Sequence, residues 1–148
     1  MYAAFKPLGT LNKLSLLLGF LLISNISIAA NTLVVTNTSD LDDGVCDANC
    51  SLREAVNLAN TTGSDEIIEF DSNIFDSEKT ITLSGKQIVI QNNGKITINA
   101  PLSFLLSISA NLQSRIFLID ESARLDINNL RITEGRTEDN SGGIKNLG

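Results

Sequence analysis

"KITINAPLSFLLSISANLQSRIFLIDESARLDINNLRITEG", residues 95–135, carries the most regular pattern in the chain. Short β-branched and apolar runs recur through it, separated by Asn, Gly, Ser or Asp, and no segment of helical period intervenes. In "KITIN" and "RLDINNLRIT" every second residue is apolar, the pattern of strands with one buried and one solvated face. "KITINA", "LLSISA", "RLDINN" and "LRITEG" share an apolar-x-Ile core closed by a polar or small turn. Units so short and so closely spaced are too frequent for most sandwiches. They suit a solenoid whose coils each contribute two or three short parallel strands.

The same texture extends upstream and fills the segment 66–148. Further strands are expected at 67–68, 80–83, 88–90 and 96–98, followed by 105–108, 116–119, 125–127 and 130–132. Asn92-Asn93 and Asn128-Asn129 read as turn residues that tolerate left-handed backbone. Before residue 66 the character differs. A β-branched run at 33–36 predicts a first strand, and an acidic loop, "NTSDLDDGVCDAN", follows it.

"CSLREAVNLAN", residues 50–60, then reads as a helix. Ser51 followed three residues later by Glu54 is a capping box, in which the serine oxygen accepts from the Glu54 amide and the glutamate reaches back to the Ser51 amide. Leu52, Ala55, Val56 and Ala59 fall on one apolar stripe, and the spacing predicts a helix over 51–60 with Gly63 as a stop. A helix of about nine residues is marginal alone in water, so its stripe must lie on something else.

The first 29 residues have the layout of an export leader: Lys6 and Lys13, an apolar run over 14–23, then small residues two apart at Ser27 and Ala29. Cleavage is expected after Ala29. The apolar run falls short of the roughly 20 residues a membrane span needs, and no second candidate follows it. An exported chain with two cysteines implies a Cys46–Cys50 disulfide. Such a short loop gains only roughly 2 kcal/mol from chain entropy, so the bond serves mainly to fix local shape.

Composition removes several function classes. The chain has no His and no Trp, and its only Tyr, Tyr2, lies in the leader. Nucleophilic triads and His-ligated zinc are thereby excluded. The whole chain carries a net charge of −6, and loss of Lys6 and Lys13 makes the remainder more acidic still. Nucleic acid and anionic membranes are poor partners for such a surface.

Asp40, Asp42, Asp43 and Asp47, grouped around Gly44, are candidate ligands for calcium, the cofactor that clustered carboxylates near a glycine turn suit. They lack the EF-hand spacing and its closing Glu. Arg53 is expected to pair with one of the loop carboxylates and tie helix to loop. Were the chain an enzyme on polysaccharides, Asp126, Arg131, Arg136 and Asp139 would be the candidates, since paired carboxylates can do glycoside chemistry at the right separation. The aromatic platforms usual in such sites are missing.

The hexapeptide within "CSLREAVNLAN", with "VVTNTSDLDDGVCDANC" before it and "GSDEIIEFDSNIF" after it, resembles the CSLREA domain, a short N-terminal module usually followed by right-handed parallel β-helix repeats. "GGIKN", residues 142–146, is similar to the Gly-Gly-x-Ile units of polymorphic outer-membrane protein repeats. The resemblance implies an all-β chain: a leader (1–29), a CSLREA-type cap (31–65) with a short capping helix, and the start of a right-handed parallel β-helix (66–148). It implies an exported, cell-surface or outer-membrane protein with a structural or adhesive role toward an unidentified surface, host or matrix ligand. It brings no catalytic residues. Family members run for many more coils, so this chain is expected to be an incomplete solenoid that continues in a longer chain or self-associates through its last coil. The alternative is the N-terminal part of a secreted polysaccharide lyase or hydrolase.

Overall fold

The computed structural model describes residues 30–91, 94–139 and 141–148. The leader over 1–29 and the turn at Asn92-Asn93 lie outside the described residues. Among those described, the chain forms β1 (Asn31–Val35), α1 (Leu52–Thr62), β2 (Glu66–Phe70), β3 (Lys79–Thr82), β4 (Ile88–Ile90), β5 (Lys95–Asn99), β6 (Leu106–Ser109), β7 (Phe117–Ile119), β8 (Arg124–Asn128), β9 (Leu130–Thr133) and β10 (Ile144–Asn146). It is a β-rich fold, mostly strands in parallel sheets, with one helix.

The strands fall into three sheets, ordered β1-β2-β5-β8, β3-β6-β9 and β4-β7-β10, and every pairing is parallel. From β2 onward each strand pairs with the third strand after it. Parallel neighbours cannot be joined by a hairpin, and here the connection between partners consists of one strand from each of the other two sheets.

Register places like residues over one another. Leu33, Ile68, Ile98 and Ile127 form one column across the first sheet. Ile81, Ile108 and Ile132 form another across the second, and Ile88, Phe117 and Ile144 a third. The middle members are fully buried, and all three sheets and α1 contribute to one apolar cluster. Burial of apolar surface stabilises by about 25 cal/mol per Å², and these columns are part of the cluster that supplies it.

Two expectations need correction. The helix does not end at Asn60 but runs to Thr62. The Thr61 and Thr62 hydroxyls donate to the carbonyls of Leu58 (2.7 Å) and Ala59 (3.1 Å), so the two threonines complete the last turn. Gly63, at φ +68°, then supplies the left-handed residue that stops it. The second is β10, a strand beyond those expected, whose "IKN" shows a single large apolar residue and so carries no strand pattern of its own. It pairs with β7 all the same. Ahead of it Gly135 and Gly142 press backbone against backbone, each where the other would have a Cβ, a closeness no other residue type permits.

Strand ends shift by a residue or two without changing any face. Leu83 lies just past β3, yet its amide continues the ladder to the Ser109 carbonyl (2.8 Å) and its side chain is buried. Asn129 sits at φ +57° between β8 and β9, the left-handed conformation that turns the chain in one residue. Asn128 stays in β8 and donates from Nδ2 to Asn99 Oδ1 (2.8 Å).

Candidate functional site

The acidic loop is closed at its neck by side chains that copy a strand pairing. Thr36 N donates to the Cys50 carbonyl (2.9 Å), Cys50 N donates to Thr36 Oγ1 (2.8 Å), and Asn37 Nδ2 donates to Asn49 Oδ1 (2.8 Å). Cys46 and Cys50 are bridged, with Cα atoms 4.4 Å apart, immediately before the helix cap.

The cap is stitched to the loop as well as to itself. Ser51 Oγ accepts from Glu54 N (3.1 Å) and donates to the Leu41 carbonyl (2.6 Å). Glu54 Oε2 accepts from Ser51 N (2.8 Å) and its Oε1 from Asp43 N (2.9 Å). Burial pushes the Glu54 carboxyl up, but the amides of Ser51 and Asp43 outweigh it and hold the group below the ordinary glutamate value. A lowered native pKa means the contribution is full above the unfolded value of about 4.3 and fades as pH falls through the native value. Thermal melts should therefore show a loss of stability beginning below about pH 4.5 that is smaller in Glu54→Gln; an identical acid limb in the two proteins would remove Glu54 from this role.

Leu52, Ala55, Val56 and Ala59 are all buried on the inner side of α1, which packs against β4, β1 and β2. Beside them lie two polar residues whose burial the stripe does not explain. Arg53 meets Asp40 through two contacts, Nε to Oδ1 (2.8 Å) and Nη2 to Oδ2 (2.9 Å). It also donates to the carbonyls of Lys86 (2.7 Å) and Gln87 (3.0 Å). Asp40 Oδ2 accepts further from Ser84 N (2.8 Å) and Ser84 Oγ (2.9 Å). One ion pair thus joins helix, acidic loop and the turn between β3 and β4.

Asn60 faces the same strand. Its Nδ2 donates to the Val89 carbonyl (2.8 Å) and its Oδ1 accepts from Gln91 N (2.9 Å). β4 is the edge of its sheet, with Ile88 and Ile90 bonded toward β7 through Ile88 N to the Ile116 carbonyl and Asp120 N to the Ile90 carbonyl. Val89 C=O and Gln91 N–H therefore point the other way, to where a further parallel strand would donate and accept around Ile90. The Asn60 carboxamide supplies the N–H and C=O that one residue of that strand would present. Sequence reading missed Asn60, although a clue was there: Arg53 and Asn60 are seven residues apart, on one helix face, bordering the stripe.

The four calcium candidates do not converge. Asp40 is committed to Arg53 and Ser84; Asp42 Oδ1 accepts from Asn57 Nδ2 (3.2 Å). Asp43 and Asp47 close turns on the amides of Val45 (3.0 Å) and Asn49 (2.8 Å). Among the described residues no group of three or more His, Cys, Asp or Glu side chains is placed to hold a metal ion.

The candidates for polysaccharide chemistry are likewise divided. Asp126, on β8, pairs with Lys95 (3.4 Å); Arg131, on β9, lines a separate hollow beside Phe104 and Glu78. Only Arg136 and Asp139 share a groove, of about 560 Å³, with Gln87 and Arg115. There Asp139 accepts from Lys145 Nζ (2.6 Å) and Arg115 Nη2 (2.5 Å). The Lys145 bond, aided by Arg115, draws its carboxyl well below the usual range, so it stays ionised at neutral pH and has no proton to give a leaving group. Arg115, which sequence reading did not single out, is buried and also donates to the Ser141 carbonyl and Gln87 Oε1 (both 2.8 Å).

Compared with models of known protein families, with curated protein sequences and with solved structures, the chain matches none. Among the described residues no helix is long and apolar enough to cross a membrane.

Proposed function

We propose that residues 31–65 are a lid and residues 66–148 the first coils of an exported right-handed parallel β-helix, related to the CSLREA-type proteins and serving a structural or adhesive role at the cell surface. The observation that carries this reading is the Asn60 carboxamide seated on the open edge of β4, with Arg53 on the carbonyls just before it. A stack of parallel strands has an exposed edge at each end, and such edges pair with other chains unless covered. The pairing of each strand with the third one on supports a coil of three strands per turn. The bridged cysteines suit an oxidising compartment.

On this reading the cap works mechanically, and the outer sheet faces are the surface offered to a ligand. Expression with the native leader in a secretion-competent host tests it. The chain should be recovered outside the cytoplasm with Cys46 and Cys50 oxidised, and should release no new reducing ends or unsaturated sugars from acidic polysaccharides. Cytoplasmic retention would overturn the export reading; polysaccharide turnover would overturn the structural one.

A further inference from the structure

Glu66 opens β2 on its inward face, 1% exposed, in a column with Asn31, Ile96 and Leu125. Its Oε1 accepts from Ser64 Oγ (2.8 Å) and Asn31 Nδ2 (3.2 Å). Its Oε2 is buried and has no hydrogen-bond partner. A carboxylate held out of water with one oxygen unpaired is among the costlier arrangements a protein can carry. Lys95, adjacent to Glu66's ladder partner Ile96, is engaged with Asp126 and leaves the oxygen unserved.

Ala30 immediately precedes Asn31, the residue opposite Glu66. Paired strands lie about 4.8 Å apart and rise about 3.3 Å per residue, so the Ala30 nitrogen is within one residue of a side chain that already touches this carboxylate. We infer that leader removal supplies the missing partner: water adds across the Ala29–Ala30 bond, Ala29 leaves as a carboxylate, and the new Ala30 α-ammonium pairs with Glu66 Oε2. The site is a receptor for the chain's own processed N-terminus, and it locks β1, and with it the lid, only after export. It rests on the export reading above.

The test compares the chain beginning at Ala30 with a free amine and the same chain N-acetylated, each with Glu66 and with Glu66→Gln. Acetylation should lower Tm by on the order of 4 °C when Glu66 is present and leave Glu66→Gln unmoved. An equal shift in both backgrounds, or none in either, overturns the inference. A measurement that needs no variant at Glu66 is the rate at which an amine-reactive ester modifies the α-amino group at pH 7. It should be about tenfold slower than for the same chain carrying a Gly-Ser extension; equal rates overturn the pairing. N-terminal sequencing of exported protein separates this from failure of the export reading, because a different cleavage point leaves measurements on the Ala30 chain standing.

Discussion

Val56→Asp is expected to abolish the folded state. Val56 is fully buried at the centre of the α1 stripe, and an ionised carboxylate there would lie in the apolar cluster shared by all three sheets. Leaving even a neutral polar group unpaired in such a place costs roughly 2–7 kcal/mol, and an ionised one more. Domains of this size are stable by only about 5–15 kcal/mol. Circular dichroism followed on heating should show loss of the cooperative transition. Leu58→Asp, two residues on and on the exposed face of the same helix, should melt within a few degrees of the parent. If both variants melt alike, α1 does not depend on its packing.

Arg53→Ala should be the most damaging truncation of a polar side chain. The Arg53 and Asp40 side chains are only 9% and 3% exposed. Removing the guanidinium strands a buried carboxylate and takes a donor from each of two turn carbonyls, those of Lys86 and Gln87. Breaking a buried pair from one side costs about 3–5 kcal/mol, to be read as a fall in urea midpoint at constant slope. The pair Arg53→Met with Asp40→Asn should recover part of that loss, because no unpaired charge then remains buried. If Arg53→Ala costs less than about 1 kcal/mol, the pair contributes no more than an exposed one and does not hold α1 to the acidic loop.

What could be read from the sequence was what chemistry places within a few residues. The Ser51/Glu54 box lies within one helical turn, and Cys46 and Cys50 were each other's only partners. "KITIN" and "RLDIN" carry their burial in their own alternation. What could not be read depends on residues far apart in the chain. That β2, β5 and β8 stack, and not neighbours in sequence, follows from which columns of Ile and Leu align, and a period-2 pattern is silent on its partner. β10 was illegible because its strand is held by β7 and by the close approach of Gly135 and Gly142 more than by its own side chains. Asn60 looked like an ordinary helix end. Its place on β4 appears only when the missing neighbour of that edge is known. The acidic loop suggested calcium through charge density alone, while in the fold those carboxylates meet Arg53, Ser84 and Asn57 or close local turns.

Through Asn60, α1 stands where a further strand would pair with the edge of β4. The Gln91 amide, donated to Asn60 Oδ1 at 2.9 Å, reports on this pairing by residue-resolved hydrogen exchange at neutral pH. In the parent protein Gln91 N–H should be protected to a degree comparable with the amides of β4, and in Asn60→Ala it should exchange like an open loop while the β5 and β8 amides keep their protection. A Gln91 amide that exchanges freely in the parent, or one equally protected in both proteins, would contradict the claim.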